Sequence, residues 1–283
     1  MTADFDPHSV PVRPAATVML VADRPDLQVL MVRRTGRVVF APDMWVFPGG
    51  RVDPTDHASD FDRMFSGLAD AEASRILEVA RGGLAWWLAA CRETLEEAGL
   101  LLAASGPDRI DVEALRDAVR ADESVFADLL LAAGIRLDAS ALEEVARFIT
   151  PPGAPRRFDA RFFVAESPAD QEPHHDAGEI VAWDWVRPAD ALARWAAGEF
   201  EMMSPTVRML ACLARYPDAD AVMQAARRRL PYRRVRVIDP HGAYRVVLPG
   251  ETGYDSAELE VESGWVRLWE PQDPGGGNGD GAR

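Results

Sequence analysis

The sequence predicts an α/β fold, because segments with strand periodicity alternate with segments of helical periodicity along most of the chain. Two strand-like runs, residues 15–22 and 27–33, flank a turn at residues 23–26 that contains Pro25. Further along, apolar residues recur every three or four positions from Leu84 to Ala98, which is the spacing of one buried helix face. These patterns favour a sheet that packs against amphipathic helices.

The other elements follow from the same two periodicities. Residues 44–47, 147–150, 158–165 and 179–186 are predicted strands, and residues 111–133, 139–147, 188–197, 205–216 and 219–229 are predicted helices. After Pro231 the residues alternate with the period of β-strands, and we expect two strand pairs, 234–238 with 244–248 and 257–261 with 264–269. The Gly82–Gly83 pair predicts a break just before the helix that begins near Leu84.

Composition and charge exclude several classes of function. The chain has 283 residues and a net charge of −15, so it repels nucleic acid polymers and anionic membranes at long range. No apolar run approaches the ~20 residues of a membrane-spanning helix, and no secretion signal is visible. The two cysteines, Cys91 and Cys212, give no disulfide framework or zinc site, and we expect a reducing cytoplasmic location.

The most informative segment is the acidic run at the end of the predicted helix. Glu93, Glu96 and Glu97 have the spacing i, i+3 and i+4, so they share one helix face, and Gly99 is a predicted C-cap. Carboxylates at this end oppose the helix dipole by roughly 0.3–1 kcal/mol each, and they repel one another. A bound divalent cation would relieve both effects. A solvated acidic face, which is common on helices, is the alternative.

Upstream, an apolar run ends in Pro48-Gly49-Gly50, a turn whose backbone can approach a ligand closely. This strand, the glycine turn and the later run Arg92-Glu93-Thr94-Leu95-Glu96-Glu97-Ala98-Gly99 together resemble the signature of the Nudix hydrolases. The resemblance implies an α/β/α sandwich around a mixed sheet. It also implies that the carboxylates hold Mg²⁺ or Mn²⁺ and that water attacks the diphosphate bridge of a nucleoside diphosphate-linked substrate.

Two departures from that signature stand out. In the family the arginine stands fourteen positions after the glycine, whereas Arg92 stands 42 positions after Gly50, so 28 residues are inserted. The family's glutamate eight positions before the arginine is replaced by Leu84. Since that glutamate mostly braces the loop and helix in the family, the catalytic assignment stays, but the partner of Arg92 is left open.

The long insertion narrows the resemblance to the peroxisomal-type coenzyme A diphosphatase branch. A second stretch, Thr150-Pro151 followed by Pro155-Arg156-Arg157-Phe158-Asp159, is similar to a segment of that branch. The domain expectations are a flexible N-terminus (1–14), a Nudix domain (15–230) with the insertion inside 51–83, a β-rich extension packed on the core (231–271) and a disordered tail (272–283).

The resemblance and the residue types together name candidate site residues. Glu93, Glu96, Glu97 and the Gly50 carbonyl are expected to bind metal, and Arg92 to orient a carboxylate, although an ordinary surface arginine is the alternative. Glu179 is the candidate base or extra ligand. Arginines and the glycine turn are expected to hold the substrate phosphates, although each arginine alone is typical of a surface charge: Arg33, Arg34, Arg156, Arg157, Gly49 and Gly50. The His174–His175 pair lacks metal-ligand spacing and is read as exposed.

The resulting functional expectation is metal-dependent hydrolysis of a diphosphate bridge, with coenzyme A or an acyl-CoA as the first choice of substrate. ADP-ribose, NADH and dinucleoside polyphosphates are alternatives. A Nudix-fold regulator that binds a nucleotide without catalysis is the competing class, and an acidic scaffold without a site is a third. The partner is expected to be a small molecule, with a homodimer left open by the family resemblance.

Overall fold

The computed structural model describes residues 9–38, 41–57, 60–106, 111–174, 178–238, 245–257 and 259–269. Residues 1–8 and the predicted tail at 272–283 lie outside these ranges. The strand that opens the structure begins at Val12, so residues 12–14 belong to the sheet and not to a loose N-terminus.

The strands of the described ranges are β1 (Val12–Asp23), β2 (Leu27–Arg34), β3 (Trp45–Val46), β4 (Gly49–Arg51), β5 (Phe65–Ser66), β6 (Ala104–Ser105), β7 (Arg136–Asp138), β8 (Glu143–Ile149), β9 (Arg157–Glu166), β10 (Ile180–Val186), β11 (Arg233–Ile238), β12 (Arg245–Val247) and β13 (Leu259–Val266). The helices are α1 (Phe61–Met64), α2 (Asp70–Leu77), α3 (Leu84–Ala98), α4 (Val112–Ala121), α5 (Phe126–Ala133), α6 (Pro188–Ala196), α7 (Ser204–Leu213) and α8 (Ala219–Arg227).

A mixed sheet organises the molecule. Its strand order is β10-β2-β1-β9-β8-β13-β11-β12, with β3 added beside β2 and β4 beside β1. Strands β1 and β9 run parallel over ten residue pairs, from Val12–Arg157 to Val21–Glu166, and the other pairs in this sheet are antiparallel. The predicted mixed sheet is therefore confirmed.

Helices cover both faces of this sheet, as successive residues of the central strand β1 show. Val18 and Leu20 pack into a core with the buried side of α3, while Met19 and Val21 pack into a second core with α7 and α8. This alternation is the period-two pattern of a strand buried on both sides. The predicted α/β/α sandwich is confirmed.

Helix α3 begins and ends where the sequence indicates. Leu84, Leu88, Cys91, Leu95 and Ala98 are all at most 1% exposed, so the predicted stripe is the buried face. Gly99 ends the helix with φ of 70°, a left-handed conformation that glycine adopts without steric cost. At the other end, the Asp70 carboxylate accepts hydrogen bonds from the backbone N–H groups of Gly82 and Leu84.

The inserted residues form a compact support beside α3. A 3₁₀ turn (Pro54–Asp56), α1 and α2 lie in this segment, and β5 joins β6 and β7 in a small separate sheet. The carbonyls of Ile76 and Leu77 at the end of α2 accept hydrogen bonds from Arg267 and Arg161. Buried arginines therefore hold the insertion against the main sheet, where their positive charge also suits a helix C-terminus.

Two element predictions are wrong. Residues 139–147 were expected to be helical, but a 3₁₀ turn at Ala139–Ala141 is followed by β8, whose backbone pairs with β9 and β13. Sheet pairing and burial override the helical preference of this alanine- and glutamate-rich run. The second predicted C-terminal strand pair is the single strand β13. The β-rich segment that was expected to pack on the core joins it by extending the central sheet, since β13 pairs with β8.

Within the described ranges, no helix is long and apolar enough to cross a membrane.

Candidate active site

A cleft of about 890 Å³ lies at one end of the sheet, beside the glycine turn. The last turns of α3, strand β4, the end of β8, the first half of β9 and the start of α7 all contribute to it. Its charged and polar lining residues are Arg13, Thr17, Arg34, Arg51, Glu93, Glu96, Glu97, Arg120, Glu123, Thr150, Arg156, Glu179, Ser204 and Thr206. The three predicted helix carboxylates therefore share one cavity.

Glu97 is held at both of its carboxylate oxygens. One oxygen, Oε2, accepts a hydrogen bond of 2.9 Å from the backbone N–H of Gly49. The other, Oε1, accepts from Arg34 at 3.3 Å. The side chain is only 8% exposed, so these two contacts fix a buried carboxylate between the glycine turn and strand β2.

Arg92 is buried, which excludes the surface-arginine alternative. Its guanidinium is 1% exposed and its Nη1 donates to Glu93 at 3.0 Å and to Glu96 at 2.9 Å. Nη1 also lies 3.5 Å from Glu123, a residue between α4 and α5 that the sequence patterns did not single out. One arginine thus holds two carboxylates of its own helix at the cleft.

Asp56 is the partner of Arg92 that the sequence left open. Its two carboxylate oxygens accept from Nε at 3.0 Å and from Nη2 at 2.9 Å, and both side chains are buried. Asp56 stands six residues after Gly50, where the family signature places its first acid. The expectation that Leu84 holds this place is wrong, since the insertion falls between Asp56 and Arg92. Leu84 is an ordinary core residue.

Burial raises the pKa of all three helix carboxyls above the usual value. For Glu93 the nearby charges of Glu97 and Glu96 raise the pKa further, while Arg92 opposes the shift. For Glu97, Arg34 and the Gly49 N–H oppose the effect of burial. The carboxylates therefore repel one another, as their helical spacing predicts. Arg92 and Arg34 offset part of this repulsion, which we had expected a bound metal to offset alone.

The donor set fits a divalent cation. Among the described residues, carboxylates outnumber guanidinium groups in the ion pairs at this end of the cleft, where Arg34, Arg51 and Arg92 pair with Asp53, Asp56, Glu93, Glu96, Glu97, Glu123 and Glu179. Carboxylate oxygens are the ligands that Mg²⁺ and Mn²⁺ prefer. In the part of the chain that the structure describes, no three such side chains already form a complete metal-binding group. Metal binding therefore requires these side chains to turn from the arginines toward the ion.

Gly49 and Gly50, which were predicted to form a turn, lie in strand β4 and have different structural requirements. A Cβ at Gly50 would lie 2.4 Å from the carboxyl carbon of Glu93, whereas a Cβ at Gly49 would lie 2.4 Å from the backbone oxygen of Ala16. Gly49 also has φ of 152°, which side chains rarely adopt. Gly50 thus leaves space for a carboxylate, and Gly49 leaves space for the backbone of β1.

We expect Gly49→Ala to lower the free energy of unfolding by about 1–3 kcal/mol, since backbone atoms cannot yield easily. Gly50→Ala is expected to spare stability and instead displace the Glu93 carboxylate, which lowers metal affinity and activity. Urea denaturation and Mn²⁺ titration of both variants check this contrast. Equal loss of stability in the two variants would contradict it.

The remaining predicted residues divide into two groups. Arg34, Glu179 and Arg156 line the cleft, and Arg34 pairs with Glu179 at 3.2 Å as well as with Glu97. Arg33 and Arg157 do not line it, because neighbouring residues of a strand face opposite sides of the sheet.

Arg33 lies near Asp43, and Arg157 donates to the Thr150 and Val10 carbonyls. The phosphate-binding role expected for these two arginines has no support in the geometry. Arg13 lies in the cleft although the sequence patterns did not mark it. His174 contacts the exposed Glu113, and His175 lies outside the described residues.

Comparison with known proteins agrees with this geometry. A family model for the NUDT19 Nudix domain matches residues 69–213. The Gallus gallus protein named acyl-coenzyme A diphosphatase NUDT19 is 26% identical over 305 residues, covering 86% of this chain and 79% of the relative. The Homo sapiens protein of the same name is 28% identical over 233 residues, covering 68% of this chain and 62% of the relative, so less than two thirds of that protein is matched.

Among solved structures, the chain is similar to the crystal structure of a Nudix hydrolase from Alicyclobacillus acidocaldarius, with 30% identity and a TM-score of 0.66. That match covers 76% of this chain and 97% of the solved one. Three observations lead to one assignment. They are the matched family model, the shared architecture and the acidic end of α3, which contacts Gly49. The chain belongs to the Nudix hydrolase family and carries a Nudix domain of the NUDT19 type.

Proposed function

We propose that this protein hydrolyses the diphosphate bridge of a nucleoside diphosphate-linked substrate in a metal-dependent reaction, with coenzyme A or an acyl-CoA as the preferred substrate. The observation that carries the proposal is the position of Glu97, which is clamped between the Gly49 N–H and Arg34 at the floor of the cleft. Glu93 and Glu96 lie on the same helix face, held by one buried arginine.

These residues have distinct roles in the proposal. Glu93, Glu96, Glu97 and the Gly50 carbonyl hold Mg²⁺ or Mn²⁺, and Arg92 and Asp56 fix the orientation of the helix carboxylates. When bound, the metal neutralises the diphosphate oxygens and lowers the pKa of a water. Gly50, which has no side chain, keeps the Glu93 carboxylate accessible beside the turn.

Arg34 and Glu179 form the second part of the proposed site. Arg34 is mostly buried and bridges Glu97 and the exposed Glu179, so it lies where a phosphate oxygen would approach the helix carboxylates. Glu179 precedes the edge strand β10 and is 69% exposed, which leaves it free to turn toward a water in the cleft. We assign Glu179 as the candidate general base.

The coenzyme A preference has two supports. The curated relatives from chicken and human are named acyl-coenzyme A diphosphatases. The cleft also continues from its acidic end over an apolar floor that contains Phe148, Phe158 and Phe162. A ring or an aliphatic chain attached to the diphosphate would pack on this floor. ADP-ribose, NADH and dinucleoside polyphosphates remain the alternative substrates, because their diphosphates present the same group to the helix carboxylates.

A substrate panel tests the proposal. The purified chain is incubated with Mg²⁺ or Mn²⁺ and with CoA, acetyl-CoA, ADP-ribose, NADH or a diadenosine polyphosphate, and the products are identified by mass. We expect CoA and acetyl-CoA to yield adenosine 3′,5′-bisphosphate and the phosphopantetheine fragment. Faster cleavage of another substrate would reassign the preference. Cleavage of none would favour a Nudix-fold protein that binds nucleotide without catalysis.

A further inference from the structure

We propose that Arg13 and Arg156 form a second anion-binding site at the far end of the cleft. This site would recognise a phosphomonoester that the substrate carries on its nucleoside, away from the diphosphate. The inference deepens the proposed function and rests on it, because it assigns the residues that select one class of diphosphate substrate over another.

Strand parity places the two guanidinium groups on the cleft side of the sheet. Arg13, Ala15 and Thr17 are alternate residues of β1, and all three line the cleft. Across the parallel pairing, Phe158 lies beside Arg13, and alternate residues of β9 also line the cleft. Arg156 immediately precedes β9 and continues that alternation, which is why it enters the cleft while Arg157 does not.

These two arginines differ from the arginines at the acidic end of the cleft in their ion pairing. Arg34, Arg51 and Arg92 are each paired with two or more carboxylates. Among the residues that the structure describes, neither Arg13 nor Arg156 forms an ion pair or a side-chain hydrogen bond. In a chain of net charge −15, two arginines without a carboxylate partner in one cleft make a local positive region that attracts an anion.

The separation of the two ends suits a nucleotide. Thr17 pairs with Gly49 of β4. Arg13 lies four residues before Thr17 on β1, so the Cα atoms of Arg13 and Thr17 are about 13 Å apart at the rise of an extended strand. Between them the floor is apolar and includes Ala160 and two phenylalanine rings, Phe158 and Phe162. A diphosphate at the glycine turn, a nucleoside on the rings and a phosphate at the arginines would occupy the cleft together.

This arrangement predicts selection by an extra phosphate on the ribose. Coenzyme A and its thioesters carry such a group, whereas ADP-ribose and NADH do not. A charge-assisted hydrogen bond to a phosphate contributes about 1.5–3 kcal/mol, which corresponds to roughly 10- to 150-fold in affinity. Since both arginines are solvent-accessible, we expect values near the lower end of that range for each.

Matched substrates test the inference. The kcat/KM values for CoA and for 3′-dephospho-CoA are compared in the wild type, in Arg13→Gln, in Arg156→Gln and in the double variant. We expect the wild type to prefer CoA by roughly tenfold or more, through KM, and the double variant to lose that preference because its KM for CoA rises more than its KM for 3′-dephospho-CoA. Arg75→Gln, on the exposed side of α2, makes the same charge change outside the cleft and is the control.

A binding measurement separates this inference from the proposed function. Calorimetry with adenosine 3′,5′-bisphosphate and with AMP needs no turnover, and we expect only the bisphosphate to lose affinity in the double variant. Turnover of CoA and 3′-dephospho-CoA at equal rates in all variants, with unchanged binding, would overturn the second anion site and leave the hydrolase assignment intact. Arginine-dependent binding without turnover of any diphosphate would instead overturn the proposed catalysis.

Discussion

Glu97→Gln is expected to lower turnover by roughly 10²–10⁴-fold, the range for losing a metal-positioning or acid–base group. The amide oxygen of glutamine can still accept the hydrogen bond from the Gly49 N–H, so the turn should stay in place. What the variant lacks is the negative charge that faces Arg34 and that would bind the divalent ion of the proposed site. The measurement is kcat on the best panel substrate at saturating Mg²⁺ or Mn²⁺.

The stability of the same variant makes this result interpretable. Burial raises the pKa of Glu97, because desolvation disfavours its charged form, and a neutral amide avoids that cost. We therefore expect the thermal midpoint of the variant to stay close to wild type. Glu199→Gln, at an exposed position after α6, removes one negative charge away from the cleft. Turnover of Glu97→Gln equal to that of Glu199→Gln would contradict the assigned role.

Asp56→Ala is expected to lower the free energy of unfolding by about 3–5 kcal/mol, because it leaves a buried guanidinium without its bidentate partner. Arg92 would retain Glu93 and Glu96, but both contacts use Nη1 alone. The helix carboxylates would therefore shift as well, and activity should fall together with stability. Urea denaturation with a two-state fit gives the stability change.

Asp60→Ala is the matched control for this second prediction. Asp60 lies in the same inserted segment and forms an exposed ion pair with Arg63 at 3.1 Å. Exposed pairs contribute about 0–1 kcal/mol, so this variant should be close to wild type. If Asp56→Ala proves as stable as Asp60→Ala, the three carboxylates around Nη1 suffice for Arg92, and the proposed place of Asp56 in the interrupted signature is wrong.

Helix α3 could be predicted because its determinants are local. Sixteen residues contain the apolar stripe from Leu84 to Ala98, the acidic face and the glycine at the helix end. The structure has each of these features. The sequence predicted that Gly49 and Gly50 form a turn, but both lie in strand β4, which pairs with β1. The glycines are still required there, because neighbouring atoms leave no room for a side chain.

Asp56 could not be identified by counting back from Arg92, because the insertion changes the spacing along the chain but preserves the contact in space. Counting forward six residues from Gly50 would have found it, since the inserted residues come later. The sequence did not distinguish Arg156 from Arg157, for a different reason. The starting residue of β9 decides which of them faces the cleft, and a shift of one residue exchanges the two faces.

Strand β8 was misassigned because its partners are distant in sequence. Glu143 and Glu144 favour helix locally, yet both are buried in the sheet. Arg229 binds Glu143, while Arg267 and Tyr232 lie against Glu144. Those charges come from segments that follow β8 by more than eighty residues. Only the folded arrangement shows that two adjacent glutamates can be accommodated in a central strand.

We propose that the Glu93, Glu96 and Glu97 carboxylates bind a divalent cation beside strand β4 in the cleft. Titration calorimetry with Mn²⁺ and with Mg²⁺, in the presence and absence of AMP, tests it most directly. We predict saturable binding to the wild type and binding at least about tenfold weaker to the Glu93→Gln/Glu97→Gln double variant, as expected when charged oxygen ligands are lost. Absence of saturable binding by the wild type to either ion, with or without AMP, would contradict the claim.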